Sequence, residues 1–381
     1  MKRGLRGRSA AVIQGSSHDR NPCERIPVLR TSTSWLDSLS PWPREGFGLT
    51  RMHELLAVLG DPQNAFPAIH VVGTNGKSTA AVTIEQLLLG EGLSVGTTIS
   101  PHVASWSERI RLDGEEVDFE AVVQAVRSAA ERARATQFEI VTGAALLAFA
   151  NANVDVAVVE AGLGGRLDAT NVLRTRVVLL TNVALEHTEV LGETRAEIAR
   201  EKLAVVQDGS VVVLPDDEWA HLVTGHDVRI GAAREAAEAF VGHAIAAAET
   251  VELPGRFERR DAEIRDGAHN PHGARFLVDR LPPGNWTIVV SILSDKNADE
   301  ILRILRGAGG NLVATSSSSE RALPAADVAR AARRYFEHVE AIDSPVAALA
   351  RAHELGEPVL VTGSLYLLGD LAQKEDAACR G

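Results

Sequence analysis

The segment Gly73-Thr-Asn-Gly-Lys-Ser-Thr79 carries the residues with the most legible chemistry in this chain. An apolar run, Ile69–Val72, enters it, and a helical pattern, Ala80–Leu89, leaves it. Gly73 and Gly76 let the backbone turn sharply, so that successive N–H groups, including those of Thr74 and Asn75, face one anion. The helix N-terminus adds further free N–H groups and the positive end of its dipole. Lys77 supplies a point charge to terminal phosphates, and Ser78 or Thr79 a hydroxyl to a phosphate or to Mg²⁺. The common phosphate-loop pattern wants Gly at position 71, where Val71 stands, so this is a shortened loop. The competing reading is a tight strand–helix turn with an exposed lysine.

Other chemical positions are more ambiguous. The run Val154–Glu160 reads as a buried strand ending in a carboxylate, followed by the glycine loop Gly162-Leu-Gly-Gly-Arg-Leu-Asp168. Glu160 is either a Mg²⁺ ligand at the mouth of the phosphate loop or a solvated strand-end acid. His187, after the run Val177–Thr181, is a ligand or an ordinary satisfied histidine. Glu160 and His187 are expected at the ends of neighbouring strands. Lys202 is, by pattern, a surface lysine on a helix. Asp266 and His269, in Asp-Gly-Ala-His-Asn-Pro271, face a nucleotide or merely cap the helix that follows.

These positions need a scaffold. From about Trp35, Val/Ile/Leu-rich runs alternate with amphipathic stretches, which predicts an α/β protein whose mostly parallel sheet is buried on both faces. Strands are expected at Ile69–Val72, Val154–Glu160, Val177–Thr181 and Val211–Leu214, with helices at Phe119–Ala133 and Ile140–Ala150. After Leu253-Pro-Gly255 a smaller Rossmann-like α/β unit begins. Its expected strands are Trp286–Ile292, Asn311–Ala314 and Val359–Val361, and its helices fall near Pro271–Leu281, Ala298–Arg306, Ala325–Tyr335 and Pro345–Glu354. The expected division is a disordered tail over 1–33, an ATP-binding domain over 34–250 and a C-terminal domain over 254–381, with 232–249 as a linker helix. No internal repeat is evident.

The net charge of −12 over 381 residues argues against a general nucleic-acid binder. No apolar run approaches the ~20 residues of a membrane span. Two cysteines, Cys23 and Cys379, suggest neither a metal site nor a disulfide framework, and a reducing cytoplasm is the simplest setting.

Together these motifs resemble the folylpolyglutamate synthase/dihydrofolate synthase family of the Mur ligase superfamily, from about Trp35 to Leu371. The marks are the phosphate loop; Ser100-Pro-His102 leading to Glu108-Arg-Ile-Arg-Leu-Asp-Gly114; Phe138-Glu139 with Thr142; and Glu160 through Asn171. They continue with Glu186 through Thr194, Glu201-Lys202, Pro254-Gly-Arg256, Asp266 through Pro271 and Val361-Thr-Gly-Ser-Leu-Tyr366. The resemblance implies an ATP-dependent ligase that joins L-glutamate to a pterin or folate carboxylate, as a monomer with one or two Mg²⁺ ions. Ser100, Glu160 and His187 would be metal ligands, and Lys202 would be carbamylated and hold a second ion. Lys77, Glu160, His187 and Lys202 would form the catalytic set. Arg256, Asp266 and His269 would contact the nucleotide, and Thr136, Gln137, Phe138, Glu139 and Asp168 the pterin-side substrate. Ser78 departs from the family's usual Gly, and the 215–265 region is short. Two rival readings are a Mur-type ligase with another carboxylate substrate and a nucleotide-binding homologue without catalysis.

Overall fold

The structure, a computed structural model, describes residues 31–41, 43, 46–246 and 251–380. Most of the expected tail, residues 1–30, therefore lies outside the described residues. Among the described residues the chain builds two sheets. The first contains β1 (Ala68–Val72), β2 (Val95–Thr98), β3 (Ile110–Leu112), β4 (Glu115–Glu116), β5 (Val156–Glu160), β6 (Thr175–Leu180), β7 (Val211–Leu214) and β8 (Asp227–Ile230). Its strand order is β4-β3-β2-β5-β1-β6-β7-β8. All neighbours pair in parallel from β2 through β8, and β3 and β4 close one edge antiparallel.

β1 is buried along its whole length, and its side chains alternate between two cores. Ile69 and Val71 pack with helix Lys77–Gly90, whereas Ala68 joins helices Phe119–Ala133 and Gln137–Ala152 on the other face. This two-sided burial is why the parallel strands read as continuous apolar runs. The stretch read as a linker behaves otherwise. Helix Ala233–Val241 buries Ala233, Ala236, Ala237, Ala239 and Phe240 against the Lys77–Gly90 side of the first sheet. Its alanines allow close packing on the sheet, so the helix is a layer of the first unit.

The second sheet contains β9 (Glu258–Arg260), β10 (Glu263–Arg265), β11 (Thr287–Val290), β12 (Asn311–Ala314), β13 (His338–Ala341) and β14 (Val359–Thr362), in the order β13-β12-β11-β14-β10-β9. Only β9 runs antiparallel.

One buried ion pair ties the hairpin edge of the first sheet to the helix after the phosphate loop. Glu85 has no exposed surface, and Arg111 Nε of β3 donates to it at 3.0 Å. Burial pushes the Glu85 carboxyl up and Arg111 pulls it back. Arg111→Met would leave that carboxylate buried and unpaired, and is expected to lower unfolding free energy by about 3–5 kcal/mol in urea titrations. Adding Glu85→Leu to the same protein should recover much of the loss.

Candidate active site

The phosphate loop leaves the end of β1, the strand flanked by β5 and β6. Three strand ends therefore meet there, each supplying polar groups. Gly73 stands at φ 147°, and a Cβ on it would fall 1.9 Å from Thr181 Oγ1. Gly76, at φ 80°, turns the chain into helix Lys77–Gly90. Both glycines are thus required by geometry, one for space and one for backbone conformation.

The end of β6 shapes the loop. Asn75 N–H donates to Asn182 Oδ1 at 3.1 Å, while Asn182 Nδ2 and Thr181 Oγ1 each donate to Asn75 O at 2.8 Å. Thr74 Oγ1 accepts from Ala184 N–H at 3.1 Å. Asn182 was not evident from the sequence, where it is one polar residue after an apolar strand.

Lys77 Nζ donates to Thr74 O at 3.3 Å and lies 3.9 Å from Glu160 Oε1. Glu160, at the end of β5, is almost wholly buried and its Oε2 accepts from Ser100 N–H at 2.8 Å. Burial raises its pKa, and Lys77, Ser100, Ser78 and Arg256 oppose that rise. Ser78 is buried, and its hydroxyl reaches Ser100 O at 3.5 Å.

Lys202 is not the surface lysine its pattern suggests. It is 4% exposed and donates to Gly73 O at 2.8 Å, so it sits directly beneath the loop. Burial, reinforced by Lys77, lowers its pKa to about 7. His187 stands at φ 51° at the head of the short helix Thr188–Leu191. Burial lowers its pKa against the pull of Glu186 and Glu189, which favours the neutral imidazole. Glu160 and His187 do not end neighbouring strands. Their strands, β5 and β6, flank β1 on opposite sides.

The second sheet's unit reaches this site through the loop before helix Pro271–Arg280. His269 Nε2 lies 3.2 Å from Glu186 Oε1, and Lys296 Nζ donates to the same oxygen at 3.1 Å. Burial opposes ionisation of Glu186, but His269 and Lys296 outweigh it and hold the carboxyl well below the usual range. Glu186 and Lys296 are absent from the sequence-derived set because no spacing links residues 110 apart. Asp266 turns inward on its own loop, with Oδ2 accepting from Phe257 N–H and Oδ1 from Ala268 N–H, both at 2.8 Å. Arg256 Nη1 donates to Gly255 O at 3.2 Å and acts electrostatically on both Glu160 and Asp266.

The expected pterin-side residues are bound up with their own chain. Thr136 and Glu139 close a capping box on helix Gln137–Ala152, and Arg51 pairs with Glu139 at 3.0 Å. Gln137 Nε2 donates to Leu36 O at 3.0 Å. A Cβ on Gly162 would meet the Phe138 ring at 2.6 Å, so the ring lies against the glycine loop. Asp168 shapes that loop by accepting from Leu163 N–H at 2.7 Å and Thr170 N–H at 3.0 Å.

His70 of β1 closes this network from below, with Nε2 at 2.8 Å from Thr170 Oγ1. It is fully buried, and desolvation lowers its pKa to about 3 from an ordinary 6.5. Between those values the unfolded chain binds a proton that the native state refuses. Stability contributed by the neutral ring is therefore present above about pH 6.5 and lost as pH falls, by up to about 1.4 kcal/mol per pH unit. Urea titrations from pH 7 to 4.5 are expected to show this extra slope in the wild type and not in His70→Asn. Equal slopes would contradict it.

Residues 71–250 match the Mur ligase middle domain, and residues 255–365 match the Mur ligase, glutamate ligase domain. A dihydrofolate synthase/folylpolyglutamate synthase from Mycobacterium tuberculosis is 32% identical, over 82% of this chain and 83% of its own length. One from Escherichia coli is 30% identical over 91% and 96%, respectively. The chain belongs to the dihydrofolate synthase/folylpolyglutamate synthase family. Solved structures agree in fold. Escherichia coli FolC in complex with DHPP and ADP superposes with a TM-score of 0.83 at 27% identity, covering 91% of this chain and 98% of that one. The bifunctional synthase of Yersinia pestis complexed with AMPPNP and Mn ion gives 0.79 at 28% identity, covering 90% and 97%. Another bifunctional synthase, with Mn, AMPPNP and L-glutamate bound, gives 0.78 at 26% identity, again covering 90% and 97%. The family match spans both sheets of this chain and both faces of the site just described.

Among the described residues no helix is long and apolar enough to cross a membrane.

Proposed function

We propose that this chain uses ATP to convert the carboxylate of dihydropteroate or a reduced folate into an acyl phosphate, and then joins it to the amine of L-glutamate. The carrying observation is the meeting of the phosphate loop, Lys77 and the buried carboxylate Glu160 at adjoining strand ends. The relatives' names and the ligands of their solved structures support the substrate classes. The loop N–H groups and Lys77 bind and orient the terminal phosphates and stabilise charge on the transferring group. Holding the acceptor carboxylate in line supplies about 7–11 kcal/mol of the barrier. His269 and Lys296 approach from the second unit through Glu186, Arg256 adds its charge near Glu160, and together they exclude water that would otherwise hydrolyse the acyl phosphate. The free amine of glutamate attacks the acyl carbon, and inorganic phosphate leaves.

The residues fit a divalent cation, and we assign it as Mg²⁺. Glu160 Oε1 lies 3.9 Å from Lys77, beyond hydrogen-bond range. Ser100 would add oxygen, and His187, whose uncharged form burial favours, would add an imidazole nitrogen. Among the described residues no group of three or more His, Cys, Asp or Glu forms a cage. That suits Mg²⁺, which keeps several waters and binds through one or two protein groups plus substrate phosphates. When bound, the ion would neutralise charge on those phosphates. Lys202, if carbamylated, would present oxygens to a second ion. A cytoplasmic setting suits an ATP-consuming enzyme with two cysteines.

The test is mass spectrometry of products with ATP, L-glutamate and either dihydropteroate or tetrahydrofolate. The expected result is ATP-dependent gain of one glutamyl residue with at least one acceptor. No gain with either, alongside acceptor-independent ATP hydrolysis, would overturn the reading.

A further inference from the structure

Asn75 is held from two directions. Its backbone N–H and carbonyl are bound by Asn182 and Thr181 at the end of β6. Its side chain reaches the second unit, where Oδ1 accepts from Asn270 Nδ2 at 2.9 Å and Nδ2 donates to Asn270 Oδ1 at 3.4 Å. Nδ2 also lies 3.1 Å from His272 Nδ1. Burial, with Arg195 and Arg275 nearby, disfavours the charged form of His272, which leaves that nitrogen able to accept. Asn270 is 4% exposed and has a second duty, because its Oδ1 accepts from Gly273 N–H at 2.7 Å and caps helix Pro271–Arg280. The two carboxamides thus form a reciprocal clasp between the phosphate loop and a helix start 195 residues away.

We infer that Asn270 is a positioning residue: its carboxamide grips Asn75 and couples the placement of the second unit to the shape of the phosphate loop. The clasp joins the loop to the second unit directly, side chain to side chain, and so favours the docked arrangement. A shift of the second unit pulls on Asn75, and Asn75 in turn is rigidly joined to Asn182. The β6 end fixes the loop backbone, and the clasp sets its side-chain register against the unit carrying His269 and Lys296. This rests on the ligase reading for its catalytic meaning, though not for the clasp itself.

The test separates the clasp from the cap. Asn270→Ser keeps a good helix cap but has no carboxamide to answer Asn75, whereas Asn270→Ala loses both. Dyes are placed by Asp208→Cys and Glu320→Cys in a Cys23→Ser/Cys379→Ser background, and single-molecule energy transfer is recorded without nucleotide. The ATP KM is then measured with saturating acceptor and glutamate. For Asn270→Ser we expect a longer or broader inter-dye distance, a rise in ATP KM of about 5–30-fold from two lost hydrogen bonds, an unchanged glutamate KM and a near-wild-type Tm. Unchanged energy transfer and ATP KM in Asn270→Ser would overturn the inference. So would defects confined to Asn270→Ala, which would make Asn270 a helix cap alone. If wild type lacks ligase activity, the functional reading fails, and the clasp is judged on energy transfer only.

Discussion

Lys77→Ala is expected to lower ATP-dependent ligation about 10²–10³-fold and leave the fold intact. Lys77 Nζ makes only a 3.3 Å bond to Thr74 O and a 3.9 Å approach to Glu160, so the native state loses little. The reaction loses a fixed positive charge aimed at the transferring phosphoryl group, and one such preorganised donor is worth about 3–4 kcal/mol in a dry site. One consequence refines the test. Without Lys77, burial of Glu160 is less well compensated, since Lys77 is the largest charge opposing the rise of its pKa. Lys77→Arg keeps that charge and should retain stability while still losing rate, because a planar fork does not reproduce a point charge. Near-normal turnover of Lys77→Ala at saturating ATP would contradict the assignment.

Lys202→Ala should be nearly as damaging, at about 10²-fold, for a different reason. The ammonium or amine of Lys202 holds Gly73 O from beneath at 2.8 Å. Its loss leaves a buried carbonyl unpaired and lets the loop drift, and a displacement of about 1 Å in a catalytic site costs on this order. Small-molecule rescue distinguishes two roles. Recovery with methylammonium indicates that the nitrogen itself is needed. Recovery with short carboxylates indicates that the working form is a carbamate presenting oxygens. Wild-type rates in Lys202→Ala, with no need of either additive, would remove this residue from the site.

The parts of this protein that could be read from sequence are those whose physics is local or doubly buried. The runs Val211–Leu214 and Asn311–Ala314 and the helix Phe119–Ala133 coincide with the structure because apolar periodicity marks them. β2, β3, β4, β8, β9 and β13 went unread, being short and, apart from β2, rich in charged residues such as Arg111, Glu115, Asp227, Arg259 and Glu340. Most of them are edge strands whose outward face carries no apolar signal. The phosphate loop was legible because phosphate binding needs glycines, Lys77 and a helix start in one order. Asn182 and Lys296 were not, and Glu186 and Asn270 were visible only inside longer motifs with no role of their own, since each matters through a partner distant in sequence. Thr136-Gln-Phe-Glu139 spells a capping box, a local signal open to a second interpretation.

The strand order around β1 also constrains how the molecule is made. The loop after residue 72 takes its shape from Thr181 and Asn182, and β1 finds its two partners at residues 156–160 and 175–180. During synthesis, then, the nucleotide pocket cannot exist while only the first half of its own domain has left the ribosome. The buried strand β1 must wait roughly 100 residues for closure, and such long-range pairing is slow. A nascent chain stalled before residue 182 should retain no ATP, and a chain extended through the second unit should bind it; retention at the shorter length would contradict this order. Nucleotide capture thus cannot precede the pairing of β1 with its two neighbours.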